Sequence, residues 1–161
     1  WNTIAYFLGL SRLFPKNRLF GGYLLNYLDD DQISEVEAVS GSCMFIRHSV
    51  VEQIGYLDEI FFAYQEDTDF CVRARKAGWK VKYVPLGEVV HLGGHGGTRV
   101  EVYRSIIAWH RSYDLYYHKH LAKNYSFLVN WMMFTAIYLK LGLALIATFF
   151  KRNKMAGTPK P

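Results

Sequence analysis

Apolar and polar positions follow three different patterns along the chain. Over residues 1–35 the pattern is mixed. Ala5 to Phe14 spaces its apolar residues as a short amphipathic helix does. Pro15-Lys16-Asn17 and Gly21-Gly22 then punctuate the chain, and Asp29-Asp30-Asp31 closes the stretch as a polar loop. From 36 to 100 the pattern is that of a compact α/β unit. Val36 to Ile46 is rich in small, apolar and β-favouring residues and predicts a strand, with Gly41 inside it as the mark of a bulge or of a ligand close to the backbone. Ser49-Val50-Val51-Glu52 has the spacing of a capping box and predicts a short helix that ends at Gly55. Phe70, Cys71, Ala74 and Ala77 recur at three- and four-residue spacing. They predict a helix from Asp67 to Ala77, stopped by Gly78, with Arg73, Arg75 and Lys76 mainly on its exposed side. Trp79 to Pro85 alternates and predicts a strand. Glu88 to His91 predicts a shorter one, running into the glycine-rich loop Gly93-Gly94-His95-Gly96-Gly97.

The pattern then changes character. Residues 101–125 hold Tyr103 to Lys123, rich in Tyr, His, Arg and Lys with Trp109 among them, and predict an amphipathic helix at a membrane–water interface. Residues 126–150 form an apolar stretch with one charge, Lys140. As a helix this stretch reaches roughly 37 Å, beyond a hydrocarbon core of about 30 Å. A lysine near the middle of a span costs roughly 2.5–3.5 kcal/mol on insertion scales. Three placements therefore stay open: a spanning helix, an interfacial one, and a buried core helix. Lys151-Arg152-Asn153-Lys154 favours a cytoplasmic face with anionic lipids, and 151–161 reads as a basic, disordered tail.

Composition narrows the class. The 161 residues suffice for one domain with a core, and 51% hydrophobic with 17% aromatic residues excludes a disordered chain. A net charge of +5 points to an anionic partner, either a phosphate-bearing ligand or a lipid surface. The basic residues are scattered and no nucleic-acid-binding motif occurs, so no nucleic acid partner is expected. Cys43 and Cys71 have no metal-ligand spacing. Each lies among apolar residues and is expected to be a buried thiol in a reducing compartment.

The candidate chemistry centres on Tyr64-Gln65-Glu66-Asp67-Thr68-Asp69-Phe70-Cys71, where Glu66, Asp67 and Asp69 fall between apolar flanks. Carboxylates at a helix start beside a low-dielectric wall suit proton abstraction or metal binding. The structural alternative is that they only complement the helix dipole. His91 ends a predicted strand, where an imidazole completes a divalent metal site or serves as a hydrogen-bonded structural residue. Asp29 to Asp31 reads as a solvated loop rather than a cation site. The loop at Gly93 and Gly94 can turn backbone N–H groups to a phosphate, with Arg99 adding charge, or be a plain turn. It lacks the ending of a P-loop.

The order of these features carries a resemblance. It runs Val39-Ser40-Gly41-Ser42-Cys43-Met44-Phe45-Ile46-Arg47, then Ile54-Gly55-Tyr56-Leu57-Asp58-Glu59, then Phe61 to Cys71 with its Glu66-Asp67 pair. Arg75-Lys76-Ala77-Gly78-Trp79, Tyr83-Val84-Pro85, Val89-Val90-His91 and Gly93-Gly94 come next. This resembles the C-terminal half of the catalytic domain of bacterial family 2 glycosyltransferases, most of all the rhamnosyltransferase-type members, over residues 12 to 100. Leu13-Phe14-Pro15 and Phe20-Gly21-Gly22-Tyr23 resemble their connecting segment, which places 1–35 there and the acceptor and catalytic half at 36–100.

The resemblance implies an α/β fold, the C-terminal half of a GT-A domain followed by a membrane-associated helical tail. It implies inverting transfer from a nucleotide-diphosphate sugar, such as dTDP-rhamnose, to a lipid-linked glycan acceptor in cell-surface polysaccharide synthesis. Asp67 is implied as the general base with Glu66 as competitor. Asp69 is a supporting residue that orients the helix start or holds basic neighbours. His91 would help bind a divalent metal, Mg2+ or Mn2+, on the diphosphate. Gly41 and Ser42 match the acceptor side, and Gly93, Gly94 and Arg99 the diphosphate side. The anionic cytoplasmic membrane is the expected location, with the catalytic part facing the cytoplasm. The family's N-terminal half, with its nucleotide-binding strands and Asp-x-Asp metal motif, has no counterpart in the 161 residues, and Asp29-Asp30-Asp31 does not follow a strand as that motif should. The chain is therefore expected to be a fragment, inactive alone, or else a non-catalytic membrane-associated binding module derived from such an enzyme.

Overall fold

The computed structural model describes residues 10–22, 25–91 and 101–156. Gly93, Gly94, Arg99, the first half of the predicted Ala5–Phe14 helix and the last five residues lie outside them. In chain order the elements are α1 (Leu10–Leu13), β1 (Ser34–Glu35), a 3-10 turn (Gly41–Cys43), α2 (His48–Ile54) and α3 (Glu66–Lys76). They continue with β2 (Lys82–Tyr83), α4 (Val102–His120), a second 3-10 turn (Ala122–Asn124) and α5 (Phe127–Ala156).

The helices follow the apolar spacing closely. α2 ends where Gly55 adopts φ 76°, a left-handed conformation that a residue without Cβ reaches at no steric cost, and the Gly55 N–H closes the last turn on the Val51 carbonyl at 2.8 Å. Gly78 (φ 91°) turns the chain just after α3 in the same way. The capping box at Ser49 does not form. α2 starts two residues earlier with Arg47 as N-cap, so Ser49 already lies inside the helix, and Glu52 pairs instead with His48 at 3.3 Å. Val50 of α2 and Phe70 and Ala74 of α3 form the core, wrapped by Met44, Val51, Ile54 and Trp79. Trp79 is pinned twice, by its N–H on the Ala74 carbonyl and by its indole N–H on Gln53 Oε1 at 2.7 Å.

The strands are much shorter than the sequence pattern predicts. Among the described residues the sheet is one antiparallel pair, Ser34 opposite Tyr83 and Glu35 opposite Lys82. The stretch from Val36 to Ile46 is not a strand. Its Ser-Gly-Ser centre folds into a 3-10 turn in which the Ser40 hydroxyl accepts the Ser42 N–H at 3.3 Å, so side chains satisfy backbone groups that a ladder would otherwise use. Residues 88–91 are not a strand either. Val89 and Val90 are exposed and their backbone pairs with no described neighbour. Cys43, expected inside, is exposed, because the turn carries it outward; Cys71 is buried as expected.

α4 and α5 pack against each other as an antiparallel pair. Tyr117 of α4 is buried, donates to Asn130 Oδ1 at 2.8 Å and meets the Phe134 ring edge-on at 5.4 Å. Tyr138 donates to Asp114 Oδ2 at 3.0 Å further along. The rest of α5 leaves its large apolar side chains exposed, among them Phe127, Leu139, Leu143 and Phe150.

Candidate functional site

The acidic turn is entered through a strained corner. Tyr64 (φ 66°) and Gln65 (φ 67°) are consecutive non-glycine residues in the left-handed region. Each such residue costs on the order of 1 kcal/mol, and such strain persists only where surrounding contacts enforce it. Here the Gln65 carbonyl accepts the Asp69 N–H at 2.8 Å, and on the far side of the corner the Ala63 carbonyl accepts the Ser112 hydroxyl of α4 at 2.6 Å. The corner delivers Glu66, Asp67 and Asp69 into the first turn of α3.

The three carboxylates have different surroundings. Asp67 is half-buried. Its Oδ2 accepts the backbone N–H of Gly41 at 2.8 Å across 26 residues, and its Oδ1 accepts the Thr68 N–H at 2.7 Å and the Thr68 hydroxyl at 3.2 Å. A Cβ added at Gly41 would stand 3.5 Å from Asp67 Cβ, so the two chain segments touch. Glu66 is also half-buried, and its Oε2 is buried with no hydrogen-bond partner among the described residues. Asp69 is fully buried. Its Oδ2 accepts Arg73 Nε at 2.8 Å, and its Oδ1 accepts both Lys119 Nζ and His120 Nε2 at 2.6 Å.

This cluster joins α3 to α4. Burial alone would raise the Asp69 pKa. The hydrogen bonds from Lys119, His120 and Arg73 outweigh it and hold the carboxyl below the ordinary range. Burial likewise works against the Lys119 ammonium, but Asp58 and Asp69 hold it charged and push its pKa up. His120 presents Nε2–H to Asp69, so its Nδ1 is free to accept Lys76 Nζ at 3.2 Å. Arg73, expected on the exposed side of α3, turns inward and also caps the Ile54 and Tyr56 carbonyls at 2.8 and 2.7 Å.

Of the residues singled out from the sequence, Gly41, Glu66, Asp67 and Asp69 come together. Ser42 is exposed in the same 3-10 turn, bonded to Ser40 rather than to Asp67. His91 is exposed, and among the described residues no group of three or more His, Cys, Asp or Glu side chains is placed to hold a metal ion. His91 offers one imidazole without assembled co-ligands among the described residues. Sequence reasoning missed Lys119, His120 and Asp58. Arg73 had a local signal, its four-residue spacing from Asp69 on one helix. Lys119 and His120 had none, because His120 meets Asp69 across 51 residues.

The sequence profile described as glycosyl transferase family group 2 matches residues 23–151, more than half of the chain. The chain belongs to this family. Its relatives within the glycosyltransferases include the N-acetylglucosaminyl-diphospho-decaprenol L-rhamnosyltransferase of Mycobacterium tuberculosis, 38% identical over 90 residues, which are 56% of this chain and 29% of that protein. The low-salt glycan biosynthesis hexosyltransferase Agl10 of Haloferax volcanii is 39% identical over 72 residues, 45% of this chain and 24% of its own. Rhamnosyltransferase WbbL of Escherichia coli is 24% identical over 108 residues, 66% of this chain and 36% of its own. The chain thus spans about 29% of the length of the mycobacterial relative. No solved structure matches it. Membership in a family 2 glycosyltransferase group fits a GT-A fold.

Proposed function

We propose that this chain is the acceptor and catalytic half of an inverting family 2 glycosyltransferase. The reaction moves a sugar, a deoxyhexose such as rhamnose, from a nucleotide diphosphate to a lipid-linked glycan at the cytoplasmic face of a membrane. The observation that carries this reading is the Asp67–Gly41 contact, a carboxylate at a helix start fixed by a backbone N–H from a distant turn. In the reaction the acceptor hydroxyl loses its proton to the carboxylate as its oxygen attacks the anomeric carbon. The nucleotide diphosphate leaves from the opposite face, which inverts the centre. One positioned carboxylate suffices on the acceptor side. The relatives support the donor and acceptor classes through their names, a rhamnosyltransferase acting on a diphospho-decaprenol glycan among them. The exposed apolar α5 supports the membrane.

One observation favours Glu66 as a second reading for the base. Its Oε2 is a buried acceptor with no partner among the described residues, whereas both oxygens of Asp67 already accept hydrogen bonds. The two readings separate by mutation of the complete enzyme. With Asp67 as base, Asp67→Asn lowers kcat by at least about 100-fold, the usual span of general-base catalysis, and leaves donor binding by calorimetry unchanged. Near-normal turnover in Asp67→Asn with collapse in Glu66→Gln would move the role to Glu66. Loss of donor binding in Asp67→Asn would take Asp67 out of the acceptor side altogether.

A further inference from the structure

Between α4 and α5 lies an open surface cavity of about 380 Å³, and Lys140, Trp109, His110, Ser105, Ala144 and Tyr64 are among the residues that line it. Its walls are mostly apolar, and Lys140 contributes its one formal positive charge. Lys140 is the sole ionisable side chain of Asp, Glu, Lys or Arg type from Phe127 to Phe150. An ionisable residue in so apolar a helix is costly and marks a ligand path or a paired charge. The ammonium does not point away from the helix pair. It sits 4.4 Å from the centroid of the Trp109 indole on α4, which holds the cation at the cavity wall.

A second, independent feature lies in the same wall. His110 is 5% exposed, and its Nδ1 faces the Ile106 carbonyl at 2.8 Å, so Nδ1 carries the proton. Its Nε2 is buried and meets no partner among the described residues. An unmet polar atom of this kind is completed by a group that enters from the cavity once the atoms now covering Nε2 move aside. A phosphate oxygen is an acceptor for Nε2–H, which the imidazolium form presents while its Nδ1–H stays on the Ile106 carbonyl. Ala144, one helical turn beyond Lys140, keeps the wall low on the α5 side. Tyr64 belongs to the strained corner that leads into Glu66 and Asp67, which puts the cavity beside the acidic turn.

We propose that this cavity binds the phosphate end of a lipid-linked substrate, with Lys140 and His110 on the phosphate and the α4 and α5 side chains along the first part of the lipid chain. The inference rests on the lipid-linked acceptor of the proposed function and names where that acceptor's carrier is held. A phosphate anchored here leaves the sugar beyond it free to extend toward the acidic turn. The positive charge matches a phosphate, and the apolar walls match a hydrocarbon chain.

The test uses the complete protein in detergent micelles and three probes: geranylgeranyl phosphate, geranylgeraniol and inorganic phosphate. Wild type should bind the lipid phosphate at least tenfold more tightly than the alcohol, and inorganic phosphate should not compete. Lys140→Gln should lose that tenfold preference and Lys140→Arg should keep it. Ala144→Phe, which fills the cavity without touching the charge, should lose both lipid probes. Circular dichroism and the thermal midpoint of each variant verify that it is folded. Equal binding of phosphate and alcohol, competition by inorganic phosphate, or wild-type binding in both Lys140→Gln and Ala144→Phe would overturn the proposal. The binding assay needs no sugar transfer. A protein that binds the lipid phosphate through Lys140 but transfers no sugar defeats the proposed function and leaves this site standing. Normal acceptor KM in Lys140→Gln defeats the site and leaves the function standing.

Discussion

Asp67 and Asp69 stand two positions apart in the same helical turn, yet burial separates their tasks. Asp67 stays half-open and is steadied by one long-range backbone donor, the Gly41 N–H. Gly41→Pro removes that donor at a position suited to proline: it is the first residue of a 3-10 turn, and Ser40 before it is already extended (φ −73°, ψ 141°). The expected result is a fall in kcat of at least about fivefold, one lost hydrogen bond to a charged group, with the fold intact. Gly41→Ala keeps the N–H, places Cβ in ordinary contact with Asp67, and should stay near wild type. Steady-state kinetics of the pair decides whether the contact positions the carboxylate. Asp69 has no exposed surface and three cationic or imidazole donors, so it is a structural anchor. Its folded pKa lies below the ordinary carboxylate value. The stability it contributes is therefore complete above the unfolded value, near pH 4, and is lost as pH falls through the lower folded value. Asp69→Asn should cost about 3 kcal/mol at neutral pH, as removal of one partner from a buried charge cluster does. It should also shrink the acid limb of the stability profile, measured by urea unfolding between pH 3 and pH 7.

At the scale of elements, the helices were legible in the sequence, and of the predicted strands only Trp79–Pro85 holds an observed one, the short β2 at Lys82–Tyr83. α3 and α4 announce themselves by apolar spacing, by Gly78 after one and by the aromatic run in the other; α3 forms within a residue of that reading, and α4 starts within a residue of Tyr103 but ends at His120, three residues before Lys123. The Val36–Ile46 strand failed because its composition was read without its partner. A strand exists only where another strand pairs with it, and here side-chain bonds among Ser40 and Ser42 serve the backbone instead. The same limit explains the site. Glu66, Asp67 and Asp69 lie together in sequence and were visible, whereas the Lys119–His120 end of the cluster arrives from α4 with no local sign of its destination. Packing of α4 on α5 turns on Tyr117, whose hydroxyl meets Asn130 while Asn130 Nδ2 donates to the Ala122 carbonyl at 2.9 Å and ties down the turn between the helices. Tyr117→Phe keeps the edge-on contact with Phe134 and loses only the hydroxyl, so it should cost about 1 kcal/mol. A double-mutant cycle with Asn130→Ala isolates that coupling: an interaction energy near zero would mean that the bond contributes nothing to joining the two helices.

For the molecule as a whole, the decisive imbalance is between a small core and a long uncovered apolar surface. Among the described residues, Val50, Phe70 and Ala74 form the hydrophobic centre between α2 and α3. Phe127–Lys151 is long and apolar enough to cross a membrane, with mean hydropathy 1.8, and only 6% of its most apolar window is buried. Among the described residues α5 is therefore not a buried core helix; a bilayer, spanned or met at its surface, would cover it, and so would protein outside the described residues. The Asp69 cluster and the Tyr117–Asn130 contact form a continuous linkage from α3 through α4 to α5, so whatever surface takes up α5 also fixes the height of the acidic turn above it. A soluble sugar nucleotide and a lipid-held acceptor would then meet at a set distance from the membrane, which is the geometry that the proposed reaction requires. The complete protein should pellet with vesicles containing anionic lipid, and alkaline carbonate distinguishes the two placements. A spanning α5 stays with the membrane, since its exposed apolar side chains have no aqueous alternative, whereas an interfacial α5 is released along with the charge attraction that held it. Recovery of the protein in the supernatant without lipid or detergent, monomeric and folded, would show that α5 is covered by protein instead, and the height argument would lose its reference plane.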